Sequence, residues 1–182
     1  MTRLSSDRLY FRKLTALDAT PEYAAWLNDP EVNRYLEVRH QAHSVAGCKE
    51  FIEHSNADPG SHLFGMFLQG SDEHIGNIKI GFVDERYRSG QISFLIGAKS
   101  AWGKGFATEA VKCLTKHAFS DLNLFRVEAG VYEENLGSLR ALMRSGYTVE
   151  GFFKKKYITP DGLRTGCFWL AALQEEWRYD EL

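Results

Sequence analysis

Gly103 and Gly105 sit one residue apart inside the run from Ile92 to Glu109, which reads as a strand, a glycine-punctuated turn and the opening of a helix. That junction suits an anion. Glycine lets the main chain approach a ligand closely, and the unpaired N–H groups and positive dipole end of a helix favour phosphate oxygens. Thr108 adds a hydroxyl to the same surface. Two nucleotide motifs do not fit: the third glycine of a dinucleotide turn would fall on Thr108, and no Gly-Lys-Ser/Thr follows four spacers. Asn135 and Ser138 lie about one helical turn apart, so an amide and a hydroxyl share one side, and Asn135 is also a favoured helix cap. Upstream, Asn33, Arg34, Glu37 and Arg39 form a polar run able to read a charged substrate, with an arginine pair suited to phosphate.

The elements that must position these groups follow from periodicity. Arg8 to Leu14 alternates as a strand, a helix opens at Asp18 with Tyr23, Trp26 and Leu27 on one stripe, and Asn28-Asp29-Pro30 stops it. A short helix is expected over 30–36 and another from Ser44, an N-cap serine, to about Ser55. Leu63 to Leu68, Ile75 to Val83 and Gln91 to Ile96 read as an antiparallel meander. A long amphipathic helix from Lys104 to Leu122 precedes a strand from Phe125 to Tyr132. Asn135 to Arg144 is helical, and strands over 147–158 and 162–173 are joined by the Pro160-Asp-Gly162 turn.

Composition narrows the function. The 182 residues are 44% hydrophobic and 25% charged, which fits one globular core. A net charge of −2 gives no general attraction for nucleic acid or anionic lipid, so neither is an expected partner and a DNA-binding role is disfavoured. No apolar stretch approaches membrane-spanning length and no signal-like run opens the chain, so a cytoplasmic location is expected. Cys48, Cys113 and Cys167 fit neither a disulfide framework nor a zinc site, and the six histidines lack partner ligands, so no metal is expected.

The run Trp102-Gly-Lys-Gly-Phe-Ala-Thr-Glu-Ala110 resembles the pyrophosphate-binding segment of the GNAT superfamily of N-acetyltransferases, in the form found in its ribosomal-protein N-terminal acetyltransferase branch. The first position of the family pattern, Gln or Arg, falls here on Ser100. Downstream, Asn135, Ser138, Gly146, Tyr147, Glu150 and Gly151 resemble the second family signature. The likeness spans Arg8 to Leu173 and implies an α+β fold in one domain, residues 1–182. Its mixed, mostly antiparallel sheet would have about seven strands and four flanking helices, with the fourth and fifth strands splayed apart.

The resemblance also implies chemistry. Acetyl-CoA would be the co-substrate and a primary amine the acceptor, in a ternary complex without an acyl-enzyme and in a monomer or homodimer. Pantetheine would lie along Phe94, Leu95, Ile96 and Gly97, with the N–H of Leu95 or a neighbour polarising the thioester carbonyl. Gly103, Lys104, Gly105, Phe106, Ala107 and Thr108 would hold the pyrophosphate, and Asn135 a pantetheine amide. The tyrosine that many members use to protonate the thiolate falls on Leu142, so Ser138 is the substitute acid. Glu37, Glu85, Glu128 or a water would take the acceptor's proton. Asn33, Arg34, Glu37 and Arg39 would face the acceptor, expected to be a protein N-terminus or a nucleotide-linked amino sugar. The rival reading is a catalytically silent CoA-binding or scaffold module.

Overall fold

A computed structural model describes residues 4–178 and contains one eight-stranded sheet. In chain order the elements are β1 (Leu4–Ser5), β2 (Leu9–Lys13), α1 (Pro21–Asn28), α2 (Val45–Ala57), β3 (His62–Leu68), β4 (His74–Asp84) and β5 (Ser89–Ile96). There follow α3 (Phe106–Ser120), β6 (Arg126–Tyr132), α4 (Leu136–Met143), β7 (Thr148–Ile158) and β8 (Arg164–Leu173). The spatial order β1-β2-β3-β4-β5-β6-β8-β7 is antiparallel at every pairing except β5 with β6. Seven strands and four helices match the expected architecture, and the two-residue β1 adds an eighth strand at the edge. Among the described residues no helix is long and apolar enough to cross a membrane.

Helix α3 carries the core. Ala110, Val111, Leu114 and Ala118 are fully buried, and the helix crosses β2, β4, β5 and β6. It starts at Phe106 rather than Lys104, because Gly105 takes φ 83° and becomes its N-cap in a left-handed conformation that glycine adopts without a steric penalty.

The helix expected over 30–36 is instead a pair of turns followed by a 3₁₀ turn at Glu37–His40. Asp29 accepts a hydrogen bond from the Glu31 N–H at 2.9 Å, and the Asn33 side chain donates to the Leu27 carbonyl at 2.8 Å. Such local side-chain to backbone bonds compete with helix formation.

Asp18 braces the entry to α1. Arg12 donates to both its carboxylate oxygens at 2.8 and 2.6 Å, and the Thr15 N–H donates at 2.7 Å. Burial alone would raise the Asp18 carboxyl, but these bonds outweigh it and bring the pKa from 3.8 down to about 2. A depressed carboxyl stabilises the fold above its unfolded pKa, so this contribution of about 2 kcal/mol is present at neutral pH. It is lost as pH falls from 3.8 through about 2. Urea titrations across that range should show Asp18→Asn less stable than the parent at pH 7, with the gap closing near pH 2; a gap of constant size would exclude the ion pair as its cause.

Candidate active site

β5 and β6 pair only over Ser89–Gln91 and Arg126–Glu128, then diverge. The gap between them is a slot of about 120 Å³ that includes Ser93, Phe94, Gly130, Tyr132, Asn135, Ser138 and Leu142 in its walls. Gly97 and Ala98 donate to the Ile75 carbonyl at 2.9 and 3.1 Å. Successive residues of an antiparallel strand present their N–H groups to opposite edges, so Leu95 faces β4 whereas Phe94 and Ile96 face the slot. The Ile96 carbonyl, on that same edge, accepts from the Trp102 indole at 2.8 Å. The slot-facing main-chain donors therefore belong to Phe94 and Ile96, and the donor expected from Leu95 moves to its neighbours. Gly97 is needed because a Cβ there would come within 2.0 Å of the Trp26 ring.

At the end of β5 the chain turns through Gly103 and Gly105, with φ of 72° and 83°, around the exposed Lys104. A Cβ on Gly103 would meet nothing within 4 Å, so this residue is glycine for its backbone conformation and not for internal packing. Phe106 is buried under the first turn of α3, while Ala107 and Thr108 stay partly accessible. The turn is anchored from the connection between β1 and β2. Arg8 donates to Glu109 at 2.7 Å and to the Lys104 carbonyl at 2.9 Å, and its guanidinium lies 4.5 Å from the Phe106 ring centre. Ser6 adds a bond to Glu109 at 2.8 Å. Burial acts to raise the Glu109 carboxyl, yet these donors hold it below its ordinary value. Because Arg8 is half exposed, the brace is worth only about 1 kcal/mol. Glu109→Gln should thus lower Tm by about 2–4 °C by scanning calorimetry and weaken acetyl-CoA binding severalfold; an unchanged Tm would show that the brace is idle.

The slot opens into a cleft of about 990 Å³ between the sheet, α2 and the 35–44 segment. Asn77, Lys79, Gln91, Ser93, Leu95, Gly130, Tyr132 and Trp169 line it, and strand register puts these residues on one face of the sheet. Tyr132 borders both slot and cleft and donates a short hydrogen bond to Glu37. Its ring stacks on Tyr157 at 4.5 Å and meets Tyr35 at 5.7 Å. Burial, then the bond to Glu37, raises its pKa to about 12, so the phenol keeps its proton near neutrality.

The sequence-predicted residues separate here. Glu37 lines the cleft and is 65% exposed at its side chain, which leaves it open to a ligand. Arg39 is 5% exposed and donates to the Leu36 carbonyl, the Tyr132 hydroxyl and the Ile158 carbonyl at 2.7, 2.9 and 2.5 Å. It positions Tyr132 and offers no free fork for phosphate. Asn33 is held by Leu27, and the exposed Arg34 lies over Tyr35 at 5.4 Å; neither lines the cleft. The arginine pair is therefore split. Asn135 caps α4, accepting from the Ser138 N–H at 3.2 Å, and both residues reach the slot. Glu128 is tied to Arg126 at 2.5 Å, and neither it nor Glu85 borders the cleft. Cys113 also lies off the cleft, its thiol pushed up to about 11 by burial and by Glu109. Among the described residues no group of three or more His, Cys, Asp and Glu could hold a metal.

Tyr35, Tyr132, Tyr157 and Lys79 were not legible as site residues. Tyr132 and Tyr157 stand 25 positions apart in the sequence. Only the sheet order β6-β8-β7 stacks them.

Against known proteins, residues 8–148 match the acetyltransferase (GNAT) domain family. The uncharacterized N-acetyltransferase p20 of Bacillus licheniformis is 29% identical over 97% of this chain and 99% of its own length. Two solved structures share the fold. The spermidine N-acetyltransferase of Vibrio cholerae, in complex with CoA and spermine, aligns with a TM-score of 0.83 at 20% identity, covering 94% of this chain and 98% of that one. An acetyltransferase (GNAT family) from Bacillus anthracis aligns with a TM-score of 0.80 at 24% identity, covering 96% and 100%.

Proposed function

Because the chain belongs to the GNAT acetyltransferase family, whose members are acetyl-CoA-dependent N-acetyltransferases, we propose that it acetylates a primary amine bound in the cleft beside Glu37. The observation that carries this reading is a continuous path. The open edge of β5 borders a slot, and the slot meets an aromatic cleft at Tyr132, which is hydrogen-bonded to the carboxylate of Glu37.

The pyrophosphate of acetyl-CoA binds the main chain from Gly103 to Thr108, and the pantetheine runs along Phe94 to Gly97 toward Asn135. An ammonium has no lone pair, so the acceptor first gives a proton to Glu37 or to a water held there. The amine nitrogen attacks the thioester carbon, and the oxygen takes up charge facing the N–H of Phe94 or Ile96. The carbon–sulfur bond then breaks and the thiolate collects a proton, with Ser138 the nearest candidate donor on α4. A thiolate of pKa about 8.5 leaves with little help. Leu142, fully buried at the slot, supplies none.

A protein N-terminus and a nucleotide-linked amino sugar both remain in range as acceptors. The polyamine of the Vibrio cholerae enzyme joins them by analogy of fold. Release of free CoA from acetyl-CoA, followed across a panel holding all three amine types, tests the proposal. Leu142 favours a second reading, a module that binds CoA without turnover. Tight CoA binding with no thiol release from any amine would select it.

A further inference from the structure

The far end of the cleft carries a charge that the proposed chemistry does not use. Lys79 projects from β4 onto the cleft face opposite Ser93, and its ammonium lies 5.8 Å from the Phe51 ring centre and 5.9 Å from that of Phe82. Among the described residues no carboxylate forms an ion pair with it. The two carboxylates that line the cleft are Glu37, bonded to Tyr132, and Glu50 on α2, which does not reach the lysine. Lys79 is a partly buried residue whose ammonium lies beside two apolar rings, and an anionic partner would complete its charge.

The surrounding backbone is shaped to hold this arrangement. Gly81 leaves room for the lysine stem, since a Cβ there would come within 3.1 Å of its Cε. The register of β4 and β5 shifts between Gly81 and Asp84. Within that irregularity Phe82 adopts φ 51°, a conformation that side-chain-bearing residues rarely take, and its ring is 79% exposed. Phe51 is 43% exposed on the facing helix. Two exposed aromatic rings and a cation thus stand at one end of the cleft, with the Glu37 carboxylate and its tyrosines at the end beside the slot.

Resting on the reading of the cleft as an amine site, we propose that the acceptor is dipolar. Its primary amine binds at Glu37 and Tyr132, its apolar or aromatic body lies against the sheet face, and an anionic group, carboxylate or phosphate, binds Lys79 between Phe51 and Phe82. Lys79 stands on β4 and Tyr132 on β6 with β5 between them, two strand spacings or about 10 Å across the sheet, so the amine and the anion belong on opposite ends of the acceptor and not on one carbon. A polycation would instead bring its second charge against Lys79.

A matched series decides this: benzylamine, 4-(aminomethyl)benzoate and 4-(aminomethyl)benzylamine differ only in the charge opposite the reacting amine. Glucosamine and glucosamine 6-phosphate form a second pair that separates phosphate from carboxylate. In the parent protein kcat/KM for the anionic member of a pair should exceed the neutral one by about tenfold to a hundredfold, with the diamine poorest. Lys79→Met should erase that ratio and Lys79→Glu should reverse it, mainly through KM; reading ratios cancels any general loss of activity. A parent enzyme that prefers the diamine, or a ratio unmoved in Lys79→Glu, overturns the proposal. Should no amine release CoA, acetyl transfer itself fails. Calorimetric affinities of the same series for the CoA-bound protein then judge Lys79 separately, the same ranking supporting it and a flat one refuting it.

Discussion

Valine at both Gly103 and Gly105 is expected to lower acetyl-CoA affinity by at least about a hundredfold. Both residues hold positive φ, 72° and 83°, where a β-branched side chain costs on the order of 1–3 kcal/mol each. Either the turn keeps its shape at that cost, or it relaxes and its N–H groups no longer converge on one anion. Added bulk would also stand in the open space beside Gly103, where the proposed site receives the pyrophosphate. The loss should appear in calorimetric binding of CoA and acetyl-CoA alike, since both carry the diphosphate, while the hydrophobic face of α3 keeps the protein folded. Unchanged affinity in the folded double variant would remove this turn from the binding site.

Glu37→Gln is expected to reduce kcat by about a hundredfold to ten-thousandfold, the range that general-base catalysis supplies. The substitution keeps the shape of the side chain and a carbonyl able to accept the Tyr132 hydroxyl. Acetyl-CoA affinity should therefore stay near that of the parent while turnover falls. Tyr132→Phe separates the role of proton acceptor from that of its support. It removes the donor that orients Glu37 and should cost less, about tenfold, because the carboxylate survives. Arg39 stands behind both, its guanidinium 5.2 Å from the Tyr132 ring centre. A Glu37→Gln enzyme that retains more than a third of its turnover would assign the proton to water.

These two sites were legible to different degrees. The glycine turn is local: two glycines, a preceding strand and a following amphipathic helix are neighbours in sequence, so chain connectivity alone brings N–H groups to one point. Asn135 and Ser138 were likewise visible from helical spacing, and the capping role of Asn135 sits beside its place in the slot. The polar run from Asn33 to Arg39 was visible only as a composition. A helix over 30–36 would have put Asn33 and Arg34 next to one another on its surface, with Glu37 just beyond its end. Turns bonded by Asp29 and Asn33 stand in place of that helix, and of the four polar candidates only Glu37 lines the cleft. Leu95 was one position away from the edge that matters, because period-two alternation decides which N–H faces the slot and only the bond from Gly97 to Ile75 sets its phase.

By itself, then, the sequence determined the order of strands and helices, the amphipathic stripe of α3 and the glycine turn before it, since each depends on contacts between residues a few positions apart. The tertiary structure decided the aromatic cleft and the placing of Glu37 and Lys79 in it. Tyr35, Lys79, Tyr132 and Tyr157 come from four segments, and no local spacing relates them. They meet because β6 pairs with β8 and not with β7, and because β5 leaves β6 after three paired residues. Long-range register converts scattered side chains into one face, which no local spacing could have set.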